Sequence, residues 1–280
     1  MIHPKVLDLL LLKEISTEIR KSVITTLSIA GSGHLGVSLG LADLFTCLYF
    51  SILNHDPDDP LYPERDRLIL SIGHAAPILY ATLARAGYFP EAELATLRKL
   101  GSRLQGHPGR EHGLPGIELS AGSLGQGLSV SVGRALAAKM DGESWRVFCV
   151  LGDGELQEGS VWEAAMAASH LKLDNLVAIV DRNGVQIDGN TENVMALEPL
   201  KEKWKAFGWG VIECDGNNHQ DLLTSFQLAD HITEKPVMIL AYTKMGKGVT
   251  SIEGDYHWHG KAPSKREASL FLKQLEEETG

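Results

Sequence analysis

No cluster of lysine and arginine marks this sequence. Its nearest approach, KEKWK at 201–205, is short and reads as a solvated helix face, and the chain carries a formal net charge of -10. Binding to a phosphate backbone draws on clustered cations that displace counterions, so composition argues against a nucleic-acid partner. Cysteine is almost as scarce: Cys47, Cys149 and Cys214 are scattered without CxxC spacing. An odd count with no disulfide framework implies a reducing compartment, by default the cytoplasm. Long apolar runs are missing too. The N-terminal MIHPKVLDLLLLKEISTEIRK holds one short leucine run broken by Asp8 and Lys13, too short to span a membrane and without the small-residue cleavage site of a leader. No GxGxxG follows a strand-like run, which weakens a Rossmann-type nucleotide reading, and no internal repeat or low-complexity segment is present.

What is present is an ordinary globular composition over 280 residues, 44% hydrophobic and 22% charged. LLLLKEISTEIRKSVITTLSIA has helical periodicity, GSGHLGVSLG interrupts it, and LADLFTCLYFSIL starts a second helix. After the loop DPDDPLYPERD come a strand in RLILSIG, a helix in HAAPILYATLARAG and a short helix in EAELATLRKLGS. A stretch rich in Gly, His and Pro follows, and then helices and strands alternate regularly. LGQGLSVSVGRALAAKM, EGSVWEAAMAASHLK, PLKEKWKAFGW and HQDLLTSFQLADHI read as helices, and WRVFCVLGD, NLVAIVD, GVIECDG and PVMILAYT as strands. Continuous apolar strands alternating with helices predict an α/β fold, a mostly parallel sheet with helices on both faces. The final KREASLFLKQLEEETG reads as a charged terminal helix prone to fraying.

Ligands in such folds bind at the carboxyl ends of strands, which places 152–154 and 181–184 at one site. Glycine on both sides of Asp153 lets the backbone turn sharply beside a bulky ligand, and the first-turn amides of the following helix favour an anion. A carboxylate aimed at a diphosphate repels it unless a cation stands between them. Asp153 therefore implies a hard metal ion, for which an Asn183 amide oxygen is a suitable second ligand. Taken singly, GDGE is equally a helix-capping turn and Asn183-Gly184 a hairpin turn.

Taken together, GDG and an asparagine about thirty residues on, after an apolar strand, resemble the thiamine diphosphate motif, and LQEGSVWEAAMAASHLKLDNL between them is similar to that of transketolases. The resemblance implies the thiamine diphosphate-binding fold of that family's diphosphate-binding domain over 1–280. It carries metal ligands onto Asp153, Asn183 and the Val185 carbonyl, taking Mg2+ or Ca2+, and the diphosphate-facing turn onto Gly152 and Gly154. Arg182 departs from the first of the two polar residues that many relatives carry at 182–183, but the ligand position is the second, Asn183. AGSGHLGVSLG, SIGHAAPILYATL, LQGHPG and HWHGKAP resemble the family's histidine segments and implicate His34, His74, His107 and His259. A lone histidine after glycine reads as a structural residue, whereas four in matching segments do not. His257 reads as structural, and His55, His112, His170, His219 and His231 match nothing.

By the same resemblance the Gly122 carbonyl in SAGSLGQGLSVSVG meets the aminopyrimidine, Leu124 and Ile187 pack on the thiazolium, and His74 contacts the diphosphate. His107 holds the donor's hydroxymethyl group, His34 and His259 stabilise the alkoxide and move its proton, and Glu158 links two cofactor sites through a subunit interface. The implied reaction is transfer of a two-carbon ketol unit from a ketose phosphate to an aldose phosphate. Nothing in the chain resembles the family's pyrimidine-binding or C-terminal domains. Met1 and termini that look complete favour a separate subunit over a piece of a longer chain. The expectation is an N-terminal subunit, inactive until a C-terminal partner supplies the ring-activating glutamate, in a heterotetramer of two copies of each chain. Alternatives are a 1-deoxyxylulose-5-phosphate synthase-like or pyruvate dehydrogenase-like subunit, or a non-catalytic regulatory module of the same fold.

Overall fold

The computed structural model describes residues 8–279; the start of the N-terminal segment read above as neither leader nor span, and Gly280 at the tip of the terminal helix, lie outside the described residues. Helix α1 (Leu9–Ala30) is capped by the Asp8 side chain and buries Leu12, Ile15, Ile19, Val23 and Leu27, the three- and four-residue spacing of one helical face. Gly31, at φ 71°, ends it in the left-handed conformation that glycine adopts freely. The Gly-rich interruption expected next is mostly helix: α2 (Leu35–Gly40) restarts after His34, fully buried, and α3 (Ala42–Cys47) follows. The long helix expected there instead widens into a π turn at Leu48–Ile52.

Strand β1 (Arg67–Leu70) leads through a 3-10 turn at Gly73–Ala75 into α4 (Ala76–Arg85), whose proline sits in the first turn, where no amide partner is lost. The helix expected in EAELATLRKLGS is a 3-10 segment, Glu91–Thr96, because the chain turns away at Arg98, which adopts φ 61°. Beyond it run α5 (Gln126–Asp141), β2 (Val147–Gly152), α6 (Gly159–His170) and β3 (Leu176–Asp181). A hairpin of β4 (Val185–Gln186) and β5 (Gly189–Asn190) and the single turn of α7 (Thr191–Val194) were not foreseen, and the hairpin turn lies beyond Asn183-Gly184, which precede β4. The chain closes with α8 (Leu200–Ala206), β6 (Gly210–Asp215), α9 (His219–Asp230), β7 (Val237–Tyr242) and α10 (Lys265–Thr279). Through Leu275 the terminal helix is anchored rather than frayed, since Ala268, Phe271 and Leu275 are buried and Phe271 packs on Trp258.

The main sheet is parallel throughout, in the order β1-β2-β3-β7-β6. Side chains alternate across it. Phe148 and Val150 join one core with α1, α3, α4, α9 and α10, whereas Val147, Cys149 and Leu151 join the other with α5, α6 and α8. All three cysteines are buried and unpaired. Among the described residues no helix is long and apolar enough to cross a membrane.

One buried ion pair pins the first layer. Arg20 on α1 holds Asp43 on α3 through Nη1–Oδ1 at 2.9 Å and Nη2–Oδ2 at 2.6 Å, and Asn217 Nδ2 joins Asp43 Oδ2 at 3.0 Å. Removing one partner strands the other charge away from water. Asp43→Ala should therefore cost about 3–5 kcal/mol of stability, read as a lower urea midpoint at unchanged m-value.

Candidate functional site

Register brings the two predicted turns together. Gly152 at the end of β2 is the parallel partner of Asp181 at the end of β3, and Asp153 N donates to Asp181 O at 3.2 Å. These strands are interior, so both turns grow from the most constrained part of the sheet. Between β2 and α6 the chain makes a 3-10 turn (Gly154–Gln157) that keeps Asp153 at its start, 2% exposed.

All the site residues named from sequence line one cavity of about 390 Å3. Asp153, Asn183 and Val185 sit on its strand-end side, with Gly152, Gly154 and Glu158 following β2 and Ile187 on the β4–β5 turn. His34, His74, His107, His259, Gly122 and Leu124 form the facing wall. That wall is assembled by close backbone approach: a Cβ on Gly73 would meet Gly122 N at 2.7 Å, so only glycine lets the turn before α4 touch the loop before α5.

The imidazoles form a cluster. Ring centroids of His34 lie 5.1 Å from His74, 5.9 Å from His259 and 6.3 Å from His107, and His74 lies 5.1 Å from His259. The Nδ1 atoms of His34 and His259 are buried without a hydrogen-bond partner. Burial, reinforced by His259, His107 and Arg98, holds His34 down to about 4. Burial and the charges of His259, His34 and His107 hold His74 down to about 3. His107, through burial and Arg98, and His259, through burial, are also lowered. A lowered imidazole is neutral above its pKa. At pH 6.5, where an unperturbed histidine is half protonated, the Cε1–H resonances of His34 and His74 should sit at the neutral-imidazole position, with their titration midpoints reached only on acidification to about pH 4 and about pH 3.

The oxygen side is equally organised. Asp153 Oδ1 accepts from Gly154 N at 2.8 Å, and Oδ2 accepts from Gly184 N at 2.7 Å and Arg182 Nη1 at 2.9 Å. The Gly154 amide, expected to face a diphosphate, is thus already given to Asp153. Asn183 donates from Nδ2 to Asp181 Oδ2 at 2.8 Å and accepts the Val185 amide on Oδ1 at 3.0 Å, which fixes its amide orientation. His257, by contrast, is exposed, stacked on Tyr256 and paired with Asp255.

Several residues of the site were not singled out from sequence. Asp181, 1% exposed, is pushed up to about 7 by burial despite donors from Thr243 and Asn183, and it orients the Asn183 amide. Glu155, 2% exposed, accepts from the Ser71 hydroxyl, Gly125 N at 2.8 Å and Gly152 N at 3.2 Å, tying the ends of β1 and β2 to the start of α5. Burial raises its carboxyl above the ordinary range. Arg98 falls in the segment EAELATLRKLGS, read only as a short helix, and its guanidinium lies against Gly106, whose added Cβ would meet Nε at 2.5 Å. It is exposed and close enough to lower both His107 and His34. Only the strand-end position of Asp181 offered a sequence signal.

Comparison with known proteins accords with this geometry. Residues 12–276 match the family described as transketolase, thiamine diphosphate binding domain. The chain is 43% identical to an apulose-4-phosphate transketolase subunit of Phocaeicola vulgatus, over 92% of this chain and 94% of that one. It is 42% identical to the 6-deoxy-6-sulfo-D-fructose transketolase subunit SqwG of Clostridium sp. (strain MSTE9), over 93% and 94%. Transketolase of Homo sapiens is 41% identical over 94% of this chain but 42% of its own length. Among solved structures, transketolase from Campylobacter jejuni superposes with a TM-score of 0.91 at 32% identity, over 96% of this chain and 43% of that one. The chain therefore spans nearly the whole of two bacterial subunits and less than half of the longer relatives.

Proposed function

Because the chain belongs to the transketolase thiamine diphosphate-binding domain family, we propose that it is the diphosphate-binding subunit of a two-chain transketolase. It would move a two-carbon ketol unit from a ketose phosphate to an aldose phosphate once a C-terminal partner chain is in place. The observation that carries this reading is the convergence of four neutral imidazoles and a strand-end oxygen set on one cavity.

The residues present fit thiamine diphosphate and a divalent cation. Two buried imidazole nitrogens without partners call for a polar ligand in the cavity. Asp153, Asn183 Oδ1 and the Val185 carbonyl are hard oxygen donors suited to Mg2+ or Ca2+. Among the described residues no group of three or more His, Cys, Asp or Glu could hold a metal, so the cation would depend on phosphate oxygens and water for the rest of its shell.

When bound, the cofactor would supply carbanion stabilisation. The chain's own residues would then do the following work. His34 and His259, neutral and half-buried, accept a proton from the donor's hydroxyl and return it to the acceptor's. His107 hydrogen-bonds the donor's hydroxymethyl group, and His74, in the turn before α4, faces the diphosphate. The Gly122 carbonyl, Leu124 and the 64% exposed Ile187 wall the rings. Glu158, exposed and with a side chain that makes no hydrogen bond or ion pair among the described residues, would reach a second site across an interface between protomers.

The partner is supported by the relatives named as subunits and by the domains of longer transketolases that this chain does not span. A heterotetramer of two copies of each chain satisfies closed symmetry. Three free, buried thiols support a cytoplasmic setting. The test is titration of thiamine diphosphate with Mg2+ into this chain alone and with the partner, alongside ketose turnover. Binding and turnover only in the mixture are expected; enzyme-like turnover by the chain alone would refute the two-chain reading.

Arg98 would attract the anionic end of the ketose, in keeping with relatives named for a phosphorylated and a sulfonated ketose. Arg98→Ala should raise KM for a phosphorylated donor about tenfold, the scale of one charge-assisted hydrogen bond, with kcat unchanged. An unphosphorylated ketose should show no such change.

A further inference from the structure

Arg182 is buried beside the site, its side chain 8% exposed, yet it takes part in no step described above. It lies between Asp181 and Asn183, and its own amide donates to Ala241 O at 2.9 Å, which locks the backbone to β7. Its guanidinium reaches in two directions. Nη1 donates to Asp153 Oδ2 at 2.9 Å and to Thr191 Oγ1 at 3.3 Å; Nη2 donates to Glu192 Oε1 at 2.7 Å and Glu198 Oε1 at 3.1 Å. The two glutamates are themselves anchored, Glu192 by the Leu197 amide at 3.2 Å and Glu198 by the Leu200 amide at 2.8 Å. Thr191 N closes the near end on Gly184 O at 3.0 Å. The whole of 184–198, which carries Val185 and Ile187, is thereby fastened around one cation.

We propose that Arg182 is a positioning residue: an internal cation that closes the 184–198 loop onto Asp153 before metal and cofactor arrive. The proposal rests on the reading of Asp153 and Val185 as cation-facing groups. A planar guanidinium can serve several carboxylates at once because its five donors lie in a fixed fork, which an ammonium does not reproduce. Without it, Asp153, Glu192 and Glu198 would face one another as carboxylates with no shared counter-charge, and the loop would lose the tie across its ends. A loop ordered in advance spares the cofactor the entropy of ordering it. The arrangement also divides Asp153 between two duties, since Oδ2 serves the loop while Oδ1 holds a single donor.

Hydrogen exchange of the full chain with its partner, measured on peptides covering 184–198 with and without Mg2+ and thiamine diphosphate, tests this. In the wild type these amides should be protected already, and the additions should change them little. In Arg182→Gln they should exchange roughly ten- to a hundredfold faster, the range set by losing charge-assisted hydrogen bonds, and regain protection when Mg2+ and thiamine diphosphate are added. Peptides from β2 and β3 report global unfolding. If they also accelerate, Glu192→Gln, which leaves the Arg182–Asp153 pair intact, should still loosen the loop selectively. Wild-type protection that develops only on cofactor addition overturns the proposal, as does a Glu192→Gln loop no faster than wild type or an Arg182→Gln loop unchanged while β2 and β3 stay protected. Failure of the functional reading looks different: no heat of thiamine diphosphate binding in the wild-type mixture, with the loop of the cofactor-free chain protected all the same.

Discussion

Asp153→Ala, assayed with the partner chain present, should lose metal-dependent thiamine diphosphate binding by roughly a hundred- to a thousandfold, the scale of stripping one partner from a buried, hydrogen-bonded charge. The carboxylate is 2% exposed and receives the Gly154 and Gly184 amides and Arg182, so its geometry is set before any ligand binds. Deleting it also takes from Arg182 one of its three carboxylate partners, and Asp153→Asn is therefore the companion variant. It keeps the volume and one amide oxygen while removing the charge, and should bind the cofactor weakly but measurably at high Mg2+. Calorimetry decides the matter, with circular dichroism confirming the fold. Equal affinity in wild type and Asp153→Ala would remove the cation assignment. Asn183→Ala should follow the same direction, because its oxygen is aimed by Asp181.

His34→Ala should lower kcat by roughly 10²–10⁴, the usual contribution of a positioned acid–base group, while leaving thiamine diphosphate affinity unchanged. Neutral imidazole is the form that accepts a proton, and burial beside three other imidazoles keeps His34 neutral down to about 4. In the wild type the acid limb of kcat/KM should therefore fall well below pH 6.5, where loss of the neutral form begins, and the variant should lack that limb. His107→Ala should likewise spare binding and reduce turnover, with the deficit largest for donors bearing a hydroxymethyl group. Vigorous pyruvate turnover without ketose turnover would instead favour the pyruvate dehydrogenase-like alternative. A structural role for His34 predicts the opposite split, a stability loss with kcat intact.

Much of this architecture was legible because it is local. The strand at Val147–Gly152 is apolar at every position facing either core, and the alternation of such runs with amphipathic helices leaves a parallel sheet as the natural arrangement. The cavity-lining residues could be named because GDG, the late asparagine and the histidine segments each keep their letters together. Where reading failed, the controlling partner was remote. Nothing near Arg182 announces Asp153, twenty-nine residues earlier, as its counter-ion, and Glu155 becomes a buried anchor only after Ser71 and Gly125 arrive. Leu35–Gly40 was missed for another reason: its glycines signal irregular backbone, while burial against Met245 and Trp258 makes small residues necessary inside a helix.

The pairing of Gly152 with Asp181 has a consequence for how this chain can change over generations. Because the two turns are aligned by adjacent strands, the segment between them contributes little to their spacing. Residues added at the exposed start of the connection after α6, between Leu171 and Lys172, would bulge outward and leave the alignment intact. A single residue deleted within Leu176–Asp181 would slide the second turn one step along its neighbour, about 3.3 Å, and turn each following side chain to the opposite face. Tolerance to length variation should thus be generous in one stretch and nil in the next, a boundary that a library of single-residue insertions and deletions scored for cofactor retention would draw directly.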